Sequence, residues 1–278
     1  MVKHGISSVS FRNAKAEDVI SAAAAAGLAG IEWSADTHAP HGDGARAEEL
    51  MMATLRARLT VSAYGSFYRL ISEAGDSARL SFEPVLESAR RLQAPCIRIW
   101  SGRPTANGGN SAFRTLVDAA KAIADNAGKL GITVCMEPLG RSIVDSYTAL
   151  AELMSAVDHP FFKACWTQLP GTEEDAPSAP ELSEWVHLIH ARNWTESYSR
   201  RSLEENPLSV GKIVSAMAER ANKTNLDLWA LIEYLQDEES ETLAREASAL
   251  NALIDRYTVA TATTPSAVPL KGASSKSS

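Results

Sequence analysis

The sequence predicts a single-domain (β/α)8 barrel. Eight short apolar runs recur along the chain, and segments of helical composition lie between them. Their spacing is about one βα unit of ~30 residues. No linker-like stretch interrupts residues 1–257. Strict alternation in one domain implies a parallel sheet with helices outside, and eight such units close into a barrel. An open doubly wound sheet is the alternative, and it usually carries a glycine-rich phosphate turn after its first strand. Here the first strand leads into SVSFRNAKAED, without that turn.

The predicted strands are GISSVSF (5–11), GIEWS (30–34), LTVSAYG (59–65), CIRIW (96–100), ITVCME (132–137), FKACWTQ (162–168), VHLIH (186–190) and LWALIEY (228–234). Helices are expected over 16–27, 82–92, 113–131 and 241–257, with Gly27 and Gly131 as C-terminal stops. The sixth helix is expected in the short, Pro-rich PGTEEDAPSAPELSEW. Residues 258–278 are rich in Ser, Thr, Ala and Pro. They bury too little apolar surface to offset ordering entropy, so a disordered tail is expected there.

Bulk composition narrows the function. The apolar share of 45% and charged share of 22% are ordinary for a globular chain. A net charge of -7 does not suggest a nucleic-acid surface. No apolar run is long enough for a membrane span, and MVKHGISSVSF lacks a signal-peptide core. Cys96, Cys135 and Cys165 sit in apolar contexts and read as buried thiols, which points to a reducing cytoplasm.

Active sites of such barrels lie at the C-terminal ends of the strands. The last four strands end in Glu137, Gln168, His190 and Glu233. Neighbouring strands are about 5 Å apart, so these four groups are expected to converge on one ion. Two carboxylates, an amide oxygen and an imidazole suit Mn²⁺ or Mg²⁺ best, with Co²⁺ or Zn²⁺ as borderline choices. Glu32 ends the second strand, and His38 lies in the loop after it. Tyr64 and Trp100 offer aromatic walls to a substrate at the mouth. The stretch SGRPTANGGNS (101–111) has no P-loop spacing, so no phosphate cradle is expected there.

The succession GIEWSADTHAPHGD, AYGSFYRL, CIRIWSG, a strand-end Glu, IHARNW and LIEYL resembles the sugar phosphate isomerase/epimerase group, the xylose isomerase-like barrels. The resemblance spans about residues 4–256. It implies metal ligands at Glu137, Gln168, His190 and Glu233, and a substrate-binding Arg201 in the loop after the seventh strand, with Arg200 as its rival. The strand-six ligand of this group is often Asp, so the neutral Gln168 is a departure. Homo-oligomers are common in the group.

The activity that the resemblance implies is that of a divalent-metal-dependent isomerase or epimerase on an unphosphorylated keto-sugar or polyol. Glu137 and Glu233 would move a proton through an enediolate. The alternatives are an inosose-type dehydratase or lyase and a non-catalytic sugar-binding barrel.

Overall fold

The computed structural model describes residues 1–71, 80–103, 109–169, 182–195, 197, 199–205 and 207–263. The strands in chain order are β1 (Val2–Ser7), β2 (Gly30–Ser34), β3 (Thr60–Ile71), β4 (Cys96–Gly102), β5 (Thr133–Met136), β6 (Phe162–Thr167), β7 (Val186–Ala191), β8 (Asn193–Trp194), β9 (Arg200–Arg201) and β10 (Leu228–Ile232). All but β8 and β9 form one closed parallel barrel, ordered β1-β10-β7-β6-β5-β4-β3-β2. The short β8 and β9 pair antiparallel beyond the mouth.

The described helices are α1 (Ala16–Ala25), α2 (Gly44–Arg56), α3 (Phe82–Arg91), α4 (Gly109–Gly128), α5 (Tyr147–Val157), α6 (Pro207–Thr224) and α7 (Ser240–Thr263). The helix expected between the sixth and seventh strands falls largely on residues 170–181, outside the described residues, as does part of 101–111. The backbone of α7 continues to Thr263, past the expected start of the tail. Residues 264–278 lie outside the described residues. Among the described residues, no helix is long and apolar enough to cross a membrane.

The first strand starts earlier than expected. Val2 pairs with Leu228, and Lys3 reaches Asp227. The chain then turns into a 3-10 helix over Ser8–Phe11. Two serines explain the turn. The hydroxyl of Ser8 accepts from the Ser34 N–H, and that of Ser10 accepts from the Tyr234 N–H. Both bonds tie the end of β1 to neighbouring strand ends.

Two layers fill the barrel. The lower one packs Ala63, Cys96, Cys135, Cys165, Leu188, Trp229 and Leu231. The second is polar, and it follows from strand alternation. Two residues beyond Cys96 comes Arg98, beyond Cys135 Glu137, beyond Leu188 His190, and beyond Leu231 Glu233. Glu32 joins this layer from β2, paired in register with Ser7 and Ala63. Gly65 makes room for it, because a Cβ there would lie 2.8 Å from Glu32 Oε1.

The three cysteines are free and buried, as expected. Burial pushes the Cys165 thiol up to about 12, against the opposing pull of His190. A neutral, enclosed thiol is a poor nucleophile. Native protein at pH 8 should therefore leave all three cysteines unmodified by iodoacetamide, and urea-unfolded protein should take up three labels by mass spectrometry. Rapid labelling of the native state would contradict this packing.

Candidate active site at the barrel mouth

His190 is the centre of the polar layer and is fully buried. Its Nε2 lies 3.0 Å from Glu32 Oε2. Its Nδ1 lies 3.1 Å from Glu137 Oε1 and 3.2 Å from Glu233 Oε1. The Ser7 hydroxyl donates to the other oxygen of Glu32 at 2.6 Å. The imidazole is thus fixed from both sides by carboxylates.

The outer oxygens of the two mouth glutamates have other partners. Glu137 Oε2 accepts from Trp100 Nε1 at 2.8 Å and lies 3.4 Å from Arg98 Nε. Glu233 Oε2 accepts from Arg192 Nη1 at 2.8 Å. Arg192 Nη2 is also 3.8 Å from Glu137 Oε1. Arg98 donates to the Ser66 carbonyl and packs its guanidinium over the Trp100 and Phe67 rings.

Charge compensation sets the ionisation of this layer. Burial alone would raise the Glu137 carboxyl, but Arg98, His190 and Arg192 outweigh it and hold the pKa well below the carboxylate range. Burial would likewise raise Glu32, and His190, Arg98 and the Ser7 hydroxyl bring it down. For His190, burial disfavours the charged ring. The surrounding acidic groups, Cys165, Glu233, Glu32 and Glu137, raise its pKa well above the ordinary value. Such pairs are costly to break, because the survivor is a buried, unpaired charge.

Three buried ligand atoms, from Glu137, Cys165 and His190, cluster closely enough to hold a divalent cation, and Glu233 adds a contact to His190 Nδ1. One Nδ1 faces two carboxylate oxygens at nearly equal distance, and a single N–H cannot serve both well. Adjacent ligands of one cation, each about 2.1 Å from it, are themselves about 3 Å apart. The Glu32 contact on Nε2 is the outer carboxylate that commonly orients a metal-binding histidine. The Cys165 thiol lies beneath. Ligand atoms of Glu137, Cys165 and His190 are all within 4.8 Å of one another.

The sequence expectations meet this geometry unevenly. Glu137, His190 and Glu233 come together as expected. Glu32 joins them, but fully buried, against His190. Trp100 donates to Glu137 instead of simply walling a substrate. Gln168 does not join. Its Oε1 accepts from the Trp194 N–H at 2.9 Å, and no hydrogen bond links it to the three converging groups. The reason is strand parity. Ala164 and Trp166 pack in the outer core, and Cys165 lies in the inner one. Across a register shift, Cys165 pairs with Leu188 and Thr167 with His190. Thr167, not Gln168, therefore shares the inner parity.

Three further residues lie apart from the group. His38 Nε2 contacts the Ala14 carbonyl, and its ring packs edge-on to Trp33. The buried Tyr64 donates to the Ala39 carbonyl. Arg201 is exposed on β9, and its rival Arg200 pairs with Glu246.

Two arginines of the site were not expected. Arg192 stands two residues after His190, on the same strand parity, and Arg98 lies in the middle of an apolar strand. A charged residue at an inward strand position was the signal available for both.

A family model for the xylose isomerase-like TIM barrel matches residues 20–253. The chain belongs to that family. No curated protein matches it. Similar solved structures include the probable 3-DHS dehydratase AsbF from Bacillus anthracis, at 17% identity and TM-score 0.68, covering 90% of this chain and 98% of that one. A D-psicose 3-epimerase, crystallised with D-fructose, matches at 16% identity and TM-score 0.66, covering 91% and 97%. The 3-keto-D-glucoside 4-epimerase YcjR from E. coli matches at 15% identity and TM-score 0.64, covering 91% and 99%. At these identities the likeness is one of fold.

Arg98→Met removes the buried cation beside Glu137 while keeping much of the volume. Urea unfolding at pH 7 should show a loss of about 3–5 kcal/mol, the usual cost of orphaning a buried charge. A loss below about 1 kcal/mol, the range of exposed pairs, would mean that Arg98 does not compensate the layer.

Proposed function

We propose that this protein is a divalent-metal-dependent isomerase or epimerase acting on a keto-sugar or related polyol, with Glu137 and Glu233 as its acid/base pair. The observation that carries this reading is the meeting of two carboxylate oxygens, 3.1 and 3.2 Å away, on one imidazole nitrogen at the barrel mouth. Two of the fold's similar structures carry the names of sugar epimerases, which agrees with it.

Glu137, His190 and Glu233 would hold the cation. Mn²⁺ or Mg²⁺ suits the oxygen-rich donors, and Co²⁺ or Zn²⁺ suits the imidazole. When bound, the cation supplies Lewis-acid polarisation of a substrate carbonyl. The chain's own groups do the rest. One glutamate takes the proton from the carbon beside the carbonyl, and the other returns a proton. Return at the same carbon epimerises, and return at the neighbouring carbon isomerises. Loss of a β-hydroxyl instead would be the dehydratase outcome. Trp100 and Arg98 orient Glu137, Arg192 orients Glu233, and Glu32 fixes the tautomer of His190.

The test combines metal content with solvent exchange. After Mn²⁺ loading and desalting, wild type should hold near one metal per chain, and Glu233→Ala should lose it. Because His190 must give up its Nδ1 proton to bind, Mn²⁺ affinity should fall as pH is lowered. In heavy water, loaded wild type should place deuterium on a ketose from a screened panel. Glu137→Gln and Glu233→Gln should each slow that exchange at least about 100-fold. Absence of both metal and exchange would favour the sugar-binding reading.

A further inference from the structure

The strands β5, β6, β7 and β10 are neighbours in the barrel. Three of them deliver Glu137, His190 and Glu233 to the polar layer. The fourth, β6, was expected to supply Gln168, whose side-chain oxygen instead accepts from the Trp194 N–H. The inward side chains of β6 are Cys165 and Thr167. One strand of the four therefore offers a thiol and an alcohol where the others offer carboxylates and an imidazole.

Of these two, the thiol joins the group. Ligand atoms of Glu137, Cys165 and His190 all lie within 4.8 Å of one another, and all three residues are buried. The thiol hydrogen-bonds with His190. Its other polar contact, to the Trp166 carbonyl, is long at 3.9 Å. Cys96 and Cys135 share the lower layer with Cys165 but not this cluster. A cavity of about 600 Å³ opens beside the mouth and is lined by Arg192, but by none of the donors. The barrel strands, not the loops around that cavity, thus set the place of a cation.

Charge points the same way. A metal-bound imidazole is neutral. With His190 in that form, Glu32, Glu137 and Glu233 face Arg98 and Arg192, which leaves one negative charge. A divalent cation turns this into one positive charge in a buried layer, which is costly. A thiolate brings the layer to neutrality. Thr167 cannot, because its hydroxyl stays uncharged.

We propose that Cys165 is the β6 ligand of the cation, and that the resident ion is Zn²⁺, not Mn²⁺ or Mg²⁺. The donor set is then one thiolate, one imidazole and two carboxylates. Thiolate and imidazole favour Zn²⁺, whereas Mn²⁺ and Mg²⁺ favour oxygen. As the ion binds, the S–H bond breaks, a sulfur–metal bond forms and the proton passes to solvent. The proposal rests on the metal reading given above and narrows it.

Co²⁺, a spectroscopic stand-in for Zn²⁺, tests it. Co²⁺-loaded wild type should show a thiolate-to-cobalt charge-transfer band in the near ultraviolet. Cys96→Ser and Cys135→Ser should keep the band, and Cys165→Ser should lose it. Circular dichroism checks the fold of each variant. If Cys165→Ser does not fold, the wild-type band and its survival in the other two variants still assign the sulfur. In competition titrations with a chelator, Cys165→Ser should lose more than the ~10-fold in Zn²⁺ affinity typical of removing an outer partner, and much less in Mn²⁺ affinity. Co²⁺ bound without the band, a band that survives Cys165→Ser, or equal losses for Zn²⁺ and Mn²⁺ would each overturn the proposal and leave the metal reading standing. Failure of wild type to hold Co²⁺, Zn²⁺ or Mn²⁺ would overturn both.

Discussion

Three buried carboxylates at one level of a barrel impose the constraint on which this structure depends. Glu32, Glu137 and Glu233 are all at most 3% exposed. Left alone, each would carry a large desolvation cost. The polar layer is built to compensate them, with His190 between all three and Arg98 and Arg192 on the outer sides. Smaller features follow from the same need. Ser7 donates to Glu32, Trp100 donates to Glu137, and Gly65 leaves the volume that Glu32 occupies.

The barrel separates stability from chemistry by height. The lower layer of small apolar groups and thiols is a packed plug. The layer above it breaks the rule that cores are apolar, as functional sites do. Neither layer could shift by one residue. A slip of one position in any strand would send its charged side chain to the helix side and an apolar one into the mouth. The ionic layer is therefore as much a statement of register as of chemistry.

Arg192 links the polar layer to the cavity beside the mouth. It neutralises Glu233 on one side and lines the cavity on the other. Nearby aromatic rings fill in around it, since Tyr234 lies under its guanidinium and packs against Trp194. A single side chain thus joins the carboxylates to the cavity beside the mouth. The short β8–β9 ladder supports this arrangement, because it begins at Asn193, directly after Arg192.

Much of this was legible in the residues themselves. Eight apolar runs and the helices between them specify the barrel, because burial imposes periodicity within each segment. Glu137, His190 and Glu233 were readable for the same reason, as polar groups on the inner parity of apolar strands. Other features depend on contacts between segments distant in sequence. Which face of β6 turns inward was decided by barrel closure, which placed Cys165 and Thr167 inside, Ala164 and Trp166 outside, and left Gln168 on the Trp194 backbone. Tyr64 and His38 found backbone carbonyls in neighbouring loops. Arg98 and Arg192 became site residues only when closure of the barrel brought carboxylates from other strands to them. A strand's alternation is local and is written in its own residues. The partner of a charge is a property of the closed sheet, and only the tertiary structure decides it.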